Sequence, residues 1–202
     1  MKRPQKIALY AVAVAAAVLA IAVAILTRPD EPAIAGFVYP DPRVISPFNL
    51  AAQDGKPFDL ESLKGKWTFV YFGYTYCPDV CPTTLQTLAE AQDRLGPKAG
   101  KFQVVFISVD PERDTPAQLR SYLSSPAFPK GAVGLTGASA QVAAAAKAYH
   151  AFYQKQGSGS GYEVQHGSTV YLMDPKGRFS GVIAFGLTPD EVARQISEKM
   201  SG

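Results

Sequence analysis

A long apolar stretch near the start of the chain dominates its hydropathy pattern. Residues 7–26 contain no charged side chain, and Lys2, Arg3 and Lys6 precede them. At about 1.5 Å per residue, a helix of this length spans the hydrocarbon core of a bilayer, which is about 30 Å thick. Because basic residues stay on the cytoplasmic side, the pattern predicts a membrane anchor over residues 1–27, with the rest of the chain outside the cytoplasm.

A cleaved signal peptide is the alternative interpretation of this stretch. Ala33, Ile34 and Ala35 offer a small-residue cleavage site. However, the apolar stretch is longer than the ~7–15 residues usual for such a signal, and charged residues separate it from the site. The anchor is therefore the favoured interpretation, and both interpretations export the domain that follows.

The remaining pattern divides the chain into a tether and one domain. Residues 28–46 contain four prolines, which predicts an extended, proline-rich tether. In residues 47–202 the apolar positions follow strand and helix spacings in turn, and residues 154–161, rich in Gly, Ser and Gln, are predicted to be a flexible loop. Strands are predicted near residues 48–50, 67–74, 102–109, 133–135, 169–173 and 179–184, and helices near 82–95, 117–123, 139–152 and from 188 onward.

The order of these elements predicts the fold class. Strand, helix, strand, helix, a hairpin and a closing helix are the element order of a thioredoxin-like α/β domain. Such alternation implies a central mixed sheet with parallel members and with helices on both faces. The loop after the strand at 67–74 is expected at the C-terminal edge of that sheet, where open α/β sheets place their sites.

The charge of the chain excludes one class of partner. Twenty Lys and Arg residues against 17 Asp and Glu residues give a net charge of +3 at pH 7. Lys2, Arg3 and Lys6 account for the whole excess, because 17 basic residues remain without them. The rest of the chain is therefore neutral, and it has no basic run with which to bind nucleic acid.

The candidate chemistry is concentrated in the only two cysteines, Cys77 and Cys81. They follow the strand predicted at 67–74 and lead into the helix predicted at 82–95. On the first turn of a helix, positions i and i+4 share a face, so both sulfurs can converge on one point. The positive potential of a helix N-terminus also favours thiolates. Such a redox-active dithiol can form a disulfide, a metal site or both in turn.

Three segments together point to a family. Residues 77–82 read Cys-Pro-Asp-Val-Cys-Pro, residues 107–115 read Ile-Ser-Val-Asp-Pro-Glu-Arg-Asp-Thr, and His166 precedes an apolar run. In this order and spacing they resemble the Sco/SenC family of copper-binding, thioredoxin-fold proteins. The resemblance implies that Cys77, Cys81 and His166 hold copper, as both Cu(I) and Cu(II).

The resemblance also implies a function and a location. It predicts a metallochaperone rather than an enzyme, one that helps assemble the dinuclear copper site of cytochrome c oxidase subunit II. That subunit would be the partner, with other copper chaperones or thiol reductants as further partners. With the predicted anchor, the protein is expected in the bacterial inner membrane as a single-pass protein whose domain faces the periplasm.

Other interpretations of the same residues remain. A thiol–disulfide oxidoreductase that reduces the cysteines of the target is the main alternative function, because a dithiol can cycle with its disulfide. A structural zinc site commonly takes four Cys and His ligands, and Cys77, Cys81 and His166 leave it one short. His150, near the end of a predicted helix and without a motif, is interpreted as an ordinary residue.

Two further details concern the surroundings of the site. Gln165 departs from the family, many members of which have an aspartate directly before the histidine, and Glu163 is a candidate substitute for that carboxylate. Asp110, Arg113 and Asp114 match the second family segment, and they are predicted to form an ion-pair brace near the site rather than to bind the metal.

Overall fold

The structure is a computed structural model that describes residues 47–201. The membrane anchor and the tether predicted for residues 1–46 lie outside the described residues. Within residues 47–201, no helix is both long and apolar enough to cross a membrane.

Nine strands in the described part of the chain form two sheets. They are β1 (Asn49–Ala52), β2 (Pro57–Asp59), β3 (Trp67–Gly73), β4 (Phe102–Ser108), β5 (Val133–Thr136), β6 (Tyr153–Gln156), β7 (Glu163–His166), β8 (Val170–Met173) and β9 (Phe179–Ile183). Seven of them form a mixed sheet in the order β2-β1-β5-β4-β3-β8-β9, while β6 and β7 form a separate antiparallel pair.

The parallel pair β3 and β4 lies near the middle of the larger sheet. Its register runs from Trp67 opposite Phe102 to Gly73 opposite Ser108, and β8 borders β3 in the antiparallel direction. Both strands are almost continuously apolar, because both of their faces are covered. This explains why the sequence indicates them so clearly.

Helices cover both faces of the sheet. They are α1 (Val80–Arg94), α2 (Pro116–Leu123), α3 (Ser139–Ala148) and α4 (Pro189–Ser201). Buried residues of α3 pack on one face together with Val70 and Phe72, whereas α1, α2 and α4 pack on the other face together with Phe69 and Tyr71. This arrangement confirms the predicted thioredoxin-like α/β fold with a central mixed sheet flanked by helices.

The predicted end of the alanine-rich helix was wrong. α3 ends at Ala148, four residues before the predicted end at residue 152. His150 adopts a left-handed backbone conformation with φ of 53°, and the N–H of Ala151 donates to the carbonyl of Ala146 at 2.8 Å. This is a common way to close a helix, and it turns the chain toward β6.

The loop predicted at residues 154–161 was also wrong in part. Its first three residues belong to β6, which pairs with β7 so that Tyr153 lies opposite His166 and Gln156 opposite Glu163. The connecting turn contains a short 3-10 segment, Gly159–Gly161. Three of the four β6 residues are exposed, so this strand lacks the alternation of apolar and polar residues by which strands are predicted.

Candidate metal centre

The turn at the end of β3 carries both cysteines. The N–H of Cys77 donates to the carbonyl of Tyr74 at 3.2 Å, which bends the chain back toward the sheet. Cys81 is the second residue of α1, and its backbone N–H donates to Cys77 Sγ at 3.4 Å. Because α1 begins at Val80, the prediction that both cysteines share the first helical turn was wrong for Cys77. The sulfurs still converge, because the turn places Cys77 Sγ at the helix N-terminus.

Gly73 allows the sulfur of Cys81 to lie against the end of β3. A Cβ atom at this position would lie 2.6 Å from Cys81 Sγ and 2.8 Å from the ring of Phe106. Both neighbours are fully buried in a packed core, so neither can move aside without cost. The position of this sulfur therefore depends on the absence of a side chain at residue 73.

His166, at the end of β7, reaches the same point from the separate strand pair. Its Nε2 atom lies 3.3 Å from Cys81 Sγ, and its Nδ1 atom lies 2.9 Å from the carbonyl oxygen of Gly167. A carbonyl oxygen only accepts, so Nδ1 carries the proton of this bond. In the neutral ring the lone pair is then on Nε2, which faces the sulfurs.

The three side chains form a compact set of donors. The ligand atoms of Cys77, Cys81 and His166 all lie within 4.8 Å of one another. Bonds of about 2.0–2.3 Å would bring such atoms to within about 4.6 Å across one ion, so only a small adjustment is needed. Cys81 is buried, whereas Cys77 and His166 are partly exposed and give access from solvent.

The two thiols differ in their acidity. The hydrogen bond with Cys81, and after it the one with His166, lowers the pKa of Cys77 to about 3 although burial opposes the charge. Burial raises the pKa of Cys81, and the neighbouring Cys77 raises it further. The negative charge of the pair is therefore on Cys77, the more accessible sulfur, and the proton is on Cys81.

The imidazole responds to that charge. Burial alone would lower the pKa of His166, but the hydrogen bonds to Cys77 and to the carbonyl of Gly167 outweigh it and raise the pKa. A metal that binds Nε2 must displace a proton held there, so binding at this site is coupled to proton release.

The brace predicted from the second family segment is present in part. Arg113 Nε lies 2.5 Å from Asp110 Oδ2, which confirms an ion pair. Asp114 is not part of it. The Asp114 carboxylate accepts from the N–H of Thr75 at 3.0 Å, from the Thr75 hydroxyl at 2.7 Å and from the Ser108 hydroxyl at 2.6 Å. It therefore fixes the start of the cysteine turn.

The residues beside His166 along β7 point elsewhere. Val164 is buried, whereas Glu163 and Gln165 are exposed, as expected for alternate positions of a strand. Gln165 Oε1 accepts from Gln156 Nε2 at 3.3 Å instead of approaching the imidazole. Glu163 does not supply the carboxylate that many family members place beside the imidazole. The carbonyl of Gly167 accepts from His166 Nδ1 instead.

Several residues at the site were missed by sequence reasoning. Gly73 and Tyr71, whose hydroxyl lies 3.7 Å from Cys81 Sγ, belong to an apolar strand and look like ordinary core residues in the sequence. Tyr162, which contacts Asp110, directly follows the segment predicted as a loop and belongs to no predicted element. His150 is exposed at the end of α3 and is not part of the donor set.

A thioredoxin-like domain that places two thiols and an imidazole at one strand-to-helix turn defines a class of thiol-based metal-binding and redox proteins. Within this class the chain belongs to the SCO1/SenC family, which it matches over residues 39–201. The family resemblance found in the sequence is thereby confirmed.

Relatives with known names agree with this assignment. The chain is 43% identical over 135 residues to the mitochondrial Protein SCO1 homolog 1 of Arabidopsis thaliana, covering 66% of this chain and 40% of that protein. It is 39% identical over 170 residues to the mitochondrial Protein SCO2 of Saccharomyces cerevisiae, covering 82% of this chain and 55% of that protein. The chain thus spans about half the length of these relatives.

Solved structures of relatives share the fold. The copper-bound structure of Bradyrhizobium japonicum ScoI is 42% identical, with a TM-score of 0.70, and the match covers 77% of this chain and 98% of that chain. The structure of BsSco is 26% identical, with a TM-score of 0.62, and the match covers 80% of this chain and 96% of that chain. BsSco is described as having a disulfide switch and as a member of the Sco family of cytochrome c oxidase assembly proteins.

Proposed function

We propose that this protein is a membrane-anchored copper metallochaperone that helps assemble the dinuclear copper site of cytochrome c oxidase subunit II. The observation that carries the proposal is the convergence of two sulfurs and one imidazole nitrogen within 4.8 Å. The copper-bound structure of ScoI and the description of BsSco as an assembly protein support it. Copper is here the cargo, and delivery to subunit II is the function.

The donor set suits a copper ion that is first held and then released. Soft thiolates favour Cu(I), and the addition of an imidazole makes the site suitable for Cu(II) as well. Cys77 is already charged, so it can take the ion first, and Cys81 loses its proton as it binds. Three donors leave a coordination position through which the ligands of an acceptor can approach the ion.

A titration of the full chain in detergent with Cu(I) and Cu(II) tests the ligand set. We expect Cys77→Ala and Cys81→Ala to impair binding of both ions, since each removes a thiolate. His166→Ala should weaken Cu(II) far more than Cu(I), because two thiolates alone satisfy the soft ion. His150→Ala is the matched control and should bind both ions normally. An unchanged Cu(II) spectrum in His166→Ala would remove the imidazole from the site.

Thiol–disulfide exchange is the second candidate function, and the unequal acidity of the two cysteines favours it. The Cys77 thiolate attacks one sulfur of a target disulfide, which forms a mixed disulfide and releases one target thiolate. Cys81 gives up its proton and attacks Cys77 Sγ, which releases the second target thiolate and leaves a Cys77–Cys81 disulfide. Two electrons pass to the target, and a thiol reductant must supply them again.

One experiment separates delivery from reduction. The reduced, copper-loaded chain is mixed with the copper-binding domain of subunit II, whose cysteines are either reduced or joined as a disulfide. Delivery predicts that copper moves to the reduced target. Reduction predicts that the copper-free chain converts the oxidised target to thiols and becomes oxidised itself. Failure of both transfers would contradict subunit II as the partner.

A further inference from the structure

His166 stands on a strand pair that no backbone ladder joins to the main sheet. β6 and β7 pair only with each other within the described residues. The imidazole nevertheless has to lie 3.3 Å from Cys81 Sγ. Residues 167–169 connect His166 to β8 of the main sheet, and beyond this short connection the position of the imidazole relative to the sulfurs depends on side-chain contacts between the hairpin and the rest of the domain.

Arg113, in the loop between β4 and α2, makes the most direct of these contacts. Its Nη1 donates to the backbone carbonyl of Tyr162 at 3.0 Å, and its Cζ atom lies 3.7 Å from the centroid of the Tyr162 ring. Tyr162 is buried and directly precedes β7. A charge-assisted hydrogen bond and a cation–π contact thus act on the residue that leads into the strand of His166.

The guanidinium is itself fixed from the main domain. Arg113 Nε donates to Asp110 Oδ2 at 2.5 Å, and the hydroxyl of Tyr162 donates to the other oxygen of the same carboxylate at 2.5 Å. Asp110 is only 3% exposed, and Arg113 is mostly buried. Because the buried Asp110 carboxylate accepts from both the guanidinium and the Tyr162 hydroxyl, it holds them in one geometry. An exposed ion pair would not do so.

The same guanidinium also reaches the cysteine turn. Its Cζ atom lies 4.8 Å from the ring centroid of Tyr76, the residue before Cys77, and 5.8 Å from that of Tyr74. The Tyr74 ring in turn packs edge-on against the imidazole of His166, with centroids 5.7 Å apart. One cation therefore contacts aromatic residues on both sides of the donor set.

We propose that Arg113 is a positioning residue of the copper site, which fastens the β6–β7 hairpin to the cysteine turn and so sets the distance between His166 and the two sulfurs. The inference rests on the proposed copper function, because it concerns the geometry of that site. Arg113 does not touch the metal, and it acts through Tyr162 and Tyr74.

Apart from the bond between the Tyr162 hydroxyl and Asp110, the other described contacts of the hairpin with the main domain are weaker or less specific. The ion pair between Lys155 and Glu112 is exposed on both sides, and such pairs contribute little. Val164 packs into the core, which holds the hairpin down but does not direct the imidazole. Among the described residues, it is Arg113 that joins a backbone carbonyl of the hairpin to a buried carboxylate of the main domain.

The consequence differs between the two oxidation states of copper. If the hairpin shifts, the imidazole moves away while Cys77 and Cys81 stay in the turn. Cu(I) keeps its two thiolates, whereas Cu(II) loses the nitrogen donor that it favours. Loss of Arg113 should therefore weaken Cu(II) selectively and raise the Cu(II)/Cu(I) reduction potential of the bound ion.

The test uses the full chain in detergent with Arg113→Met and, as a matched control, Arg178→Met. Arg178, whose side chain is 56% exposed, pairs with the mostly buried Asp174 in the β8–β9 turn, so the control loses an arginine from an ion pair away from the donor set. We expect the Kd for Cu(II) to rise at least ~10-fold in Arg113→Met, which is the usual scale for residues that orient a metal ligand. The thiolate-to-Cu(II) absorption band should also change. The Kd for Cu(I) should change by less than ~3-fold, since both thiolates remain. Arg178→Met should match the wild type in both.

A copper-free measurement keeps the inference separate from the proposed function. Amide hydrogen exchange at residues 162–167 should be faster in Arg113→Met than in Arg178→Met without any copper. If the wild-type chain binds no copper, the proposed function fails, but the exchange result still decides whether Arg113 fastens the hairpin. Equal exchange and equal Cu(II) affinity in the two variants would overturn the inference. If Arg113→Met does not fold, Tyr162→Leu is the second variant, because it removes the ring that stacks on the guanidinium. It should show the same selective loss of Cu(II) binding. Normal Cu(II) binding by Tyr162→Leu would overturn the inference.

Discussion

Cys77 and Cys81 show how the environment gives two identical side chains different pKa values. Cys81 is fully buried beside the end of β3, and Cys77 is partly exposed and accepts the N–H of Cys81. The charge is consequently on the sulfur that solvent and partners can reach. Both an incoming copper ion and a target disulfide would meet Cys77 first.

This difference predicts the pH dependence of alkylation. An ordinary thiol, with a pKa near ~8.5, loses about tenfold in thiolate for each pH unit below that value. Because the pKa of Cys77 is lowered to about 3, its thiolate persists throughout the neutral and mildly acidic range. We expect the rate at which iodoacetamide labels Cys77 to be nearly constant from about pH 5 to about pH 8, as measured by mass spectrometry of the copper-free chain.

A pair of variants tests the cause of the low pKa. Since the hydrogen bond from Cys81 is the largest contribution, Cys81→Ala should raise the pKa of Cys77 and make labelling fall with decreasing pH. Cys81→Ser keeps a donor at the same position and should stay closer to the wild type. A wild-type rate that falls tenfold per pH unit would contradict the assignment of the charge to Cys77.

Gly73 offers a second prediction at the residue scale. In Gly73→Ala the new methyl group meets Cys81 Sγ and the Phe106 ring at less than contact distance, which should destabilise the fold by about 1–3 kcal/mol and weaken copper binding. Gly100→Ala is the matched control, because a Cβ there has open space around it. Thermal unfolding and a copper titration measure both effects, and equal behaviour of the two variants would refute the steric argument.

The residues of the site were predictable from the sequence to different degrees. Cys77, Cys81 and His166 could be named because they carry thiol and imidazole donors at positions where the sequence resembles the family. Gly73, Tyr71 and Tyr162 could not be found in this way. Their importance lies in distances across the fold, such as that between the Tyr162 hydroxyl and Asp110, and no periodicity in the sequence encodes such distances.

At the scale of elements, the β6–β7 hairpin shows where composition misleads. Glycine, serine and glutamine in residues 154–161 predict mobility throughout, because each is common in flexible segments. The structure instead pairs Lys155 with Val164 and Gln156 with Glu163, which leaves only the connecting turn without a ladder. Cross-strand pairing within the hairpin overrides the propensity of the single residues here.

Amide hydrogen exchange tests this reassignment. In the copper-free chain we expect slow exchange at the paired amides of β6 and β7 and fast exchange at residues 157–161, where no ladder protects the backbone. Addition of copper should slow exchange further at His166 and Gly167, because binding fixes the imidazole. Uniformly fast exchange from 154 to 167 without copper would contradict a stable hairpin. Equal protection with and without copper would show that the imidazole does not move on binding.

At the scale of the whole domain, the fold was predictable from the sequence because its central strands are long, nearly uninterrupted apolar segments. β3 and β4 are covered on both faces and are therefore almost wholly apolar, and two of the predicted helices begin at residues whose side chains cap them. Thr115 accepts the N–H of Gln118 before α2, and Thr188 and Glu191 form the reciprocal bonds of a capping box before α4. Strand order in the sheet was not predictable, since β1 pairs with β5, which is remote from it in sequence.

The proposed function of the domain depends on where it is held. A periplasmic target can be reached only if residues 7–26 direct the domain out of the cytoplasm, and the proposed anchor would also hold it at the membrane. We expect the protein from bacterial cells to remain in the membrane fraction after a high-salt wash and to be digested by protease added to spheroplasts, and N-terminal sequencing should begin within residues 1–6. Residues 7–26 are long enough to span the bilayer, and a high-salt wash does not release a protein that is held by hydrophobic burial.

Recovery of soluble protein that begins at Gly36 would refute the anchor and support cleavage after Ala35. Membrane-bound protein protected from protease in spheroplasts but cleaved in lysed cells would keep the anchor, reverse its orientation and exclude delivery of copper in the periplasm.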